Sequence, residues 1–313
     1  MAVPAQNMIS FLKLTRPVNL LLIILVQGII KYGLLETLDV QVSLDNFRFR
    51  LLVFATVCIA AAGNVINDIF DVNIDRINKP QQVIVGRRIT EKSAYNFYII
   101  LNILGVGVGF YLSNLLDHPG LAAVFIVISA LLYVYATQMK SMLLLGNILI
   151  SLLVASSLLI LILFDIFPAI DTELKESQVL SSQAILMYAG FAFFINFIRE
   201  IVKDLQDIDG DKNGGRKTLP IVLGRRRTVN VVFVLGVIAL LCVLLYTYFV
   251  LYNYQKVVLY FVFLVAAPIL FFCIKAWNAE NDKHFAVLSI ILKVVMFTGI
   301  CSIIFYAEVI IKL

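Results

Sequence analysis

The chain has 313 residues, of which 61% are hydrophobic and 14% are charged, and its formal net charge is +5. Soluble domains are about half apolar and about a quarter charged, so this composition excludes an ordinary soluble protein. The net charge is too small to indicate nucleic-acid binding.

Apolar stretches of about 20 residues recur along the whole chain, and each is long enough to cross the ~30 Å hydrocarbon core of a bilayer as a helix. The pattern predicts an all-α polytopic membrane protein that forms one domain over residues 1–313. Nine spanning helices are expected, at about 18–35, 50–70, 93–113, 119–137, 142–164, 180–202, 228–251, 256–275 and 285–308.

The connections between the predicted spans alternate in charge. The basic ones include Lys13 with Arg16, the segment 79–92, Lys140 and the long segment 203–227, whereas 165–176 is acidic. Because positively charged loops stay on the cytoplasmic side, we predict that the amino terminus and the basic loops face the cytoplasm from the plasma (inner) membrane.

Two Asp-rich motifs, at 64–75 and 200–211, repeat the spacing D-x-x-D-x-x-x-D 136 positions apart. Each lies at the end of a predicted span, on the same predicted side of the membrane. On a continuous helix, residues at this spacing share one face. The expected polar stripes consist of Asn64, Asn67, Asp68, Asp71 and Asp75 in the first motif, and of Glu200, Lys203, Asp204, Asp207 and Asp211 in the second.

Carboxylates that converge at a membrane helix end repel one another unless a cation lies between them. Oxygen ligands without nearby His or Cys indicate a hard ion, Mg²⁺ or Mn²⁺. Mg²⁺ completes its shell with water and substrate phosphate oxygens. The two motifs therefore predict two Mg²⁺ ions that bridge a diphosphate. The expected ligands are Asn67, Asp71 and Asp75 for one ion and Asp207 and Asp211 for the other, with Asn64, Asp68 and Asp204 in support.

Basic residues near the motifs fit a diphosphate as well. Lys203 lies on the second polar stripe and Lys140 ends a predicted helix, so both are candidates for binding phosphate. After the second motif, Gly214 and Gly215 predict the end of a helix and the start of a loop of ten to fifteen residues over the cytoplasmic mouth.

These motifs resemble those of the UbiA superfamily of intramembrane prenyltransferases. The first family motif is matched by NDIFDVNID at 67–75 followed by NKP at 78–80, and the second by DIDGD at 207–211 followed by TLP at 218–220. The resemblance extends from RPVN at 16–19 through the last spans. It implies nine helices around a lateral, lipid-open cavity that cytoplasmic loops cap.

Within that superfamily, REIVKD at 199–204 and AGNVIND at 62–68 are most similar to digeranylgeranylglyceryl phosphate synthases. Aromatic-acceptor members share K-D-x-x-D-x-x-G-D, so they remain an alternative. Many relatives carry N-R-P-x-R-P-I-P-S-G after the first motif, whereas this chain has Gln82 and Val85 in place of the second Arg and the Ser. If that Arg contacts a substrate phosphate in the relatives, this chain uses Arg87, Arg88 or another residue in its place.

The resemblance implies Mg²⁺-dependent transfer of a geranylgeranyl (polyprenyl) group from its diphosphate to geranylgeranylglyceryl phosphate, a lipid-soluble acceptor at the membrane interface. For that acceptor, Arg16, Asn19 and Glu200 are the candidate binding residues. One alternative is prenylation of an aromatic acceptor of the homogentisate or hydroxybenzoate type in quinone biosynthesis. A different class of alternative is a cation transporter, because intramembrane carboxylates also mark ion pathways.

Overall fold

Helices and turns make up the protein in its computed structural model, which describes residues 3–310. The first two and the last three residues of the predicted domain lie outside that range. Nine helical segments within it are long and apolar enough to cross a bilayer, which confirms the predicted number and all-α class. Each predicted boundary is within five residues of the observed one.

The helices are numbered in chain order. The spans are α2 (Pro17–Leu35), α3 (Asn46–Phe70), α5 (Glu91–Leu115), α6 (Pro119–Thr137), α7 (Leu145–Ala169), α8 (Glu176–Gln206), α11 (Arg225–Phe249), α12 (Gln255–Trp277) and α13 (Asp282–Cys301). Shorter helices are α1 (Val3–Leu14), α4 (Val72–Asn78), α9 (Ile208–Asn213), α10 (Leu219–Leu223) and α14 (Ile303–Ile310), whose first residues complete the ninth span.

The longest helix, α8, connects the two halves of the core. Its first half, around Ile185 and Ala192, packs in one apolar cluster with residues of α2, α3 and α7. Its second half, around Ile198 and Leu205, packs in another with residues of α11, α12 and α13. The second Asp-rich motif therefore begins on a helix that both halves of the protein hold in place.

Both Asp-rich motifs bend at their central aspartate, and the expectation of two continuous helical stripes was wrong at this point. Helix α3 ends at Phe70 and α4 starts at Val72, whereas α8 ends at Gln206 and α9 starts at Ile208. Asp71 and Asp207 have backbone angles near φ −86° and −102° with ψ near zero. The bend turns the third aspartate of each motif away from the line of its span, so α4 and α9 pack side by side.

A buried ion pair closes the opposite end of the first and fifth spans. Lys31 Nζ lies 2.9 Å from Asp165 Oδ2, and the two side chains are 2% and 0% exposed. The sequence had placed Asp165 at the start of an acidic loop, but it lies inside α7. Asp165 also accepts a hydrogen bond from the backbone N–H of Leu44 at 2.8 Å, which satisfies its second oxygen. This pair fixes the end remote from the motifs.

Candidate active site

The first motif is held by cations from other parts of the chain. Lys140, in the short turn after α6, forms an ion pair with Asp71 and donates to Asn67 Oδ1 at 2.9 Å. Asn67 in turn donates to Asp71 Oδ2 at 2.8 Å. One turn earlier, Asp68 accepts from Arg16 at 2.5 Å. The predicted candidates Asn67, Asp68, Asp71, Arg16 and Lys140 therefore meet in one place.

Asn64 contributes to the site through the turn before α2. Its amide nitrogen donates to the backbone oxygen of Thr15 at 2.9 Å. This bond fixes the turn at Arg16, whose backbone is left-handed with φ 54° just before Pro17 opens α2. Asn64 thus sets the position of Arg16.

The second motif binds a separate set of partners. Asp207 is paired with Lys79 at 2.7 Å, and Asp204 accepts from Asn147 at 2.8 Å. One turn earlier on α8, the buried Glu200 is paired with Lys203 at 2.7 Å and with Arg199 at 3.3 Å. These contacts gather the acids at the end of α8.

Two residues, Arg216 and Asn78, connect the two motifs directly. Arg216 binds Asp211 at 2.8 Å and also forms an ion pair with Asp71. Asn78, at the end of α4, donates to the backbone oxygen of Asp207 at 3.0 Å and accepts from the backbone N–H of Gly210 at 2.8 Å. A Cβ at Gly210 would lie 2.4 Å from the Asn78 side chain, so this close approach requires glycine.

The side chains of both motifs line two adjoining spaces. The first is a small polar chamber that contains the carboxylates of Asp71, Asp75, Glu200, Asp204, Asp207 and Asp211. The second is a cavity of about 340 Å³ that runs from the motifs into the apolar part of the protein. Four residues line both and form the wall between them: Tyr135, Lys140, Glu200 and Lys203.

The chamber holds more negative than positive charge. Glu200 and Lys203 of the wall neutralise each other and do not enter the count. The five aspartates that line the chamber then have three cationic partners, which are Lys79, Lys140 and Arg216. Burial would raise the pKa of Asp71, but Lys140 and Arg216 outweigh it and hold that pKa below its usual value. Burial and the charge of Asp71 raise the pKa of Asp75 to about 6. Burial also raises the pKa of Asp211 despite its pairing with Arg216.

These observations fit a divalent cation in the chamber. The available ligand atoms are carboxylate and amide oxygens, which Mg²⁺ prefers. The carboxylate of Asp75 is half-buried, and no described side chain forms a hydrogen bond or ion pair with it. Among the described residues, no three acidic side chains are grouped tightly enough to hold one ion by themselves. Lys140, Lys79 and Arg216 form ion pairs with three of the chamber's aspartates, Asp71, Asp207 and Asp211.

The apolar cavity extends along α3 from Asn67 to Thr56, which are eleven residues apart and therefore separated by about 16 Å. Its walls include Ile59, Leu132 and Ile150, and Phe125 lies at the far end. The Phe125 ring packs 5.1 Å from the ring of Phe164, and a Cβ at Gly109 would come within 2.2 Å of it. A hydrocarbon chain fits this space, and its floor is rigid.

Where the cavity meets the polar wall, its mouth carries Arg16, Asn19, Arg199, Glu200 and Lys203, together with Lys293 of α13. Lys293 donates to Asn19 Oδ1 at 3.3 Å and so connects the last span to the first. The predicted candidates Arg16, Asn19, Glu200 and Lys203 are therefore brought together at one mouth.

Arg87 and Arg88 are not brought to either space. Both are exposed, and Arg87 donates to the backbone oxygen of Pro80 at 3.1 Å. Gly86, with φ +76°, turns this segment back on itself, and the turn keeps the two side chains on the outer surface.

Several residues of the site had not been singled out from the sequence. Asn147 lacked a distinguishing pattern, and Tyr135 and Arg216 were two among many aromatic and basic residues near the rim. Asn78 and Lys79 belong to the NKP segment that carried the family resemblance, but no role at the site was predicted for them. Lys293 did have a signal, because it is an isolated cation in the middle of the last apolar span. A charged side chain within a membrane span is energetically costly, so its presence there makes the residue a candidate for function.

Comparison with known proteins gives the same family at every level. A model of the UbiA prenyltransferase family matches residues 37–298. A digeranylgeranylglyceryl phosphate synthase from Methanobrevibacter smithii is 34% identical over 250 residues, which are 79% of this chain and 82% of that protein.

Solved structures show the same fold. One from a study of digeranylgeranylglyceryl phosphate synthase in membranes is 26% identical, with a TM-score of 0.58 over 98% of this chain and 99% of that one. A UbiA homologue from Archaeoglobus fulgidus, solved with DMAPP and Mg²⁺, is 17% identical, with a TM-score of 0.56 over 94% of this chain and 99% of that one.

Proposed function

The chain belongs to the UbiA prenyltransferase family, and from this premise we propose that it transfers a geranylgeranyl group from its diphosphate to geranylgeranylglyceryl phosphate. The observation that carries the proposal is the wall of Tyr135, Lys140, Glu200 and Lys203 between an acidic chamber and an apolar cavity. A prenyl diphosphate likewise has a polar part, the diphosphate, and an apolar part, the hydrocarbon chain. The carbon that reacts lies where these two parts join. Bound across the wall, the donor has its diphosphate in the chamber and its chain in the cavity.

The chamber suits Mg²⁺, with Asn67, Asp71 and Asp75 as ligands of one ion and Asp207 and Asp211 as ligands of the other. Mg²⁺ bound there supplies positive charge that stabilises the departing diphosphate. Lys140 and Arg216 add fixed positive charge, because both already bind Asp71 and are aimed into the chamber. Lys203 contributes from the wall.

In the reaction, the bond between the first prenyl carbon and the diphosphate oxygen breaks, and its electron pair leaves with the diphosphate. The hydroxyl oxygen of the acceptor forms a new bond to that carbon, and the hydroxyl proton passes to the departing diphosphate. The intervening allylic cation requires protection from water. Tyr135, 8% exposed and part of the wall, presents an aromatic ring where that cation forms.

The acceptor assignment is supported by the relatives, since the Methanobrevibacter smithii protein is a digeranylgeranylglyceryl phosphate synthase. An aromatic acid would use the same chamber and cavity. Family membership and the position of the carboxylates at helix ends favour an enzyme over a cation transporter, whose acids are expected near the membrane midplane. We further propose that the motif end faces the cytoplasm and that the membrane is the plasma membrane.

Turnover by the purified protein in lipid nanodiscs tests the proposal. Radiolabelled geranylgeranyl diphosphate is supplied with geranylgeranylglyceryl phosphate, and in parallel with homogentisate and 4-hydroxybenzoate, each with Mg²⁺ or with EDTA. The expected result is a labelled digeranylgeranyl ether phosphate that forms only with Mg²⁺. Product from an aromatic acid alone would replace the acceptor, and absence of product from every acceptor would contradict the proposed transfer.

A further inference from the structure

The mouth of the apolar cavity carries a surplus of positive charge. Arg16 there is neutralised by Asp68 at 2.5 Å. Lys203 and Glu200, 2.7 Å apart, neutralise each other. Arg199 shares Glu200 with Lys203, at 3.3 Å, and no described carboxylate forms an ion pair with Lys293, so four cations at this mouth have two carboxylates between them.

The two cations without a carboxylate of their own are Arg199 and Lys293. Arg199 donates to Glu200 Oε1 at 3.3 Å while Lys203 donates to Oε2 of the same carboxylate at 2.7 Å, so one negative charge serves two cations. The Nε atom of Arg199 is buried without a hydrogen-bond partner. The hydrogen-bond partner that the structure gives Lys293 is the neutral amide oxygen of Asn19, at 3.3 Å, and no described carboxylate lies within 4.0 Å of its ammonium group. The Arg199 side chain is 14% exposed.

Charges in such a place are costly. Both residues lie within helices that span the membrane, α8 and α13, and a charge without a partner in an apolar region is strongly destabilising. Two adjacent cations also repel each other. A ligand that brings close to two negative charges and several acceptor oxygens removes both penalties.

We propose that Arg199 and Lys293 form the subsite that binds the phosphate monoester of the lipid acceptor, with Asn19 as a further polar contact. This rests on the proposed prenyl transfer and specifies its acceptor. A phosphate monoester carries about −1.5 to −2 charge at pH 7 and offers three acceptor oxygens. The carboxylate of an aromatic acid carries one charge and would leave one of the two cations unpaired.

The position of the subsite agrees with the reaction. Arg199 and Lys203 are four residues apart on α8, so they are neighbours about 5–6 Å apart on the same face. A phosphate bound at Arg199 is therefore about one helical turn from the wall where the donor carbon reacts. In a glycerol phosphate lipid the free hydroxyl is on the carbon next to the one that bears phosphate, which matches that separation.

Replacing Lys293 with Gln tests the subsite through steady-state kinetics in nanodiscs with Mg²⁺. We expect K293Q to raise the KM for geranylgeranylglyceryl phosphate about tenfold, as expected for loss of one charge-assisted hydrogen bond. The KM for geranylgeranyl diphosphate is expected to stay within about twofold, because the diphosphate binds beyond the wall. K293R, which keeps the charge, is expected to restore most of the acceptor affinity.

A matched control is available on the same helix. Lys283 is exposed near the start of α13 and lines neither space, so K283Q removes the same charge and is expected to leave both KM values unchanged. Geranylgeranylglycerol, which lacks the phosphate, completes a double cycle of protein variant against acceptor. Wild type is expected to have a higher KM for it than for geranylgeranylglyceryl phosphate, and in K293Q the ratio of the two KM values is expected to be about tenfold smaller. An equal loss with both acceptors, or a rise in the KM for the donor instead, would overturn the assignment.

Binding without turnover separates this inference from the proposed function. The affinity of each variant for geranylgeranylglyceryl phosphate is measured by microscale thermophoresis in the absence of donor and Mg²⁺. If wild type binds this lipid and K293Q binds it about tenfold more weakly while no transfer occurs, the subsite stands and the proposed function fails. If transfer occurs but K293Q binds the lipid as tightly as wild type, the function stands and the subsite fails.

Discussion

The two Asp-rich motifs share a spacing and a bend, yet the three aspartates of each have different partners. In the first motif, Asp71 binds two cations, Lys140 and Arg216, whereas Asp75 has no described ion-pair partner. In the second motif the central and the last aspartate each bind one cation. Its central Asp207 binds one lysine, and its last aspartate, Asp211, binds Arg216.

The source of those partners explains the difference. Lys79 follows the first motif in the chain but binds Asp207 of the second. Arg216 follows the second motif but reaches back to Asp71 of the first. Each motif is therefore completed by the segment that follows the other, and neither forms a site alone. A repeated spacing establishes equivalent positions along two helices, but the surroundings of those positions arise only when the helices pack.

The largest effects are expected at the central aspartates. Replacing Asp71 or Asp207 with Asn removes a proposed metal ligand and should lower single-turnover transfer about 1,000-fold, because several kcal/mol of charge stabilisation are lost. We expect D71N to be the more severe change, since it also leaves Lys140 and Arg216 without their shared partner. The rate is measured by rapid quench with labelled geranylgeranyl diphosphate.

Asp209 provides the matched control for these two variants. It lies in α9 between Asp207 and Asp211 but is exposed and outside the repeated spacing. D209N is therefore expected to retain transfer within about twofold. Near-normal transfer by both D71N and D207N would contradict the proposed metal assignment.

Smaller effects are expected at the last aspartates. Substitutions of the two should change the Mg²⁺ requirement alike but should differ in their effect on stability. Both D75N and D211N should raise the Mg²⁺ concentration for half-maximal transfer by about tenfold or more, since each loses a proposed ligand. Without Mg²⁺ their stabilities should diverge. D75N removes a carboxylate that lacks a described partner and should raise Tm. D211N also removes a carboxylate whose pKa is raised by burial, but it deprives Arg216 of one of its two partners, so its Tm should rise less than that of D75N.

Thermal unfolding in EDTA and a Mg²⁺ titration of transfer provide the two readouts. If D75N raised Tm no more than D211N, then Asp75 would have a stabilising partner and the asymmetry between the motifs would disappear. An unchanged Mg²⁺ requirement in both variants would remove them from the metal site while leaving the asymmetry intact.

The sequence was sufficient for the number and class of the spans because hydropathy over 20 residues determines them independently of packing. It also predicted that both motifs and Lys140 would meet, since the repeat placed them at the same side. It did not predict the bend at Asp71 and Asp207, which changes little in the local hydrogen bonding: Asp71 N–H still bonds Asn67 at 2.9 Å and Asp207 N–H still bonds Lys203 at 2.9 Å. The cross-pairing by Lys79 and Arg216 was missed because it depends on how α4 packs against α9.

A moderate effect is expected where the two motifs are joined by Asn78. N78A leaves the N–H of Gly210 without its partner, at a cost of about 1–3 kcal/mol, and removes one of the two hydrogen bonds to the backbone oxygen of Asp207, which still accepts from Asp211 N–H. We expect a Tm several degrees below wild type and a smaller loss of transfer than in D207N. Asn73, exposed on the same helix α4, is the matched control, and N73A should leave both quantities unchanged. Equal Tm values for N78A and N73A would show that this bridge does not hold the motifs together.

The smallest effect concerns the two segments that follow the motifs. The one after the second motif sends Arg216 into the chamber, whereas the one after the first turns at Gly86 and leaves Arg87 and Arg88 exposed. The sequence had suggested these two arginines as substitutes for a phosphate-binding Arg at Gln82. The structure gives that task a better candidate in Arg216, so R87Q and R88Q should change the KM for geranylgeranyl diphosphate by less than about twofold. A rise of tenfold in either variant would mean that the first segment folds over the bound diphosphate, and the two segments would then act alike.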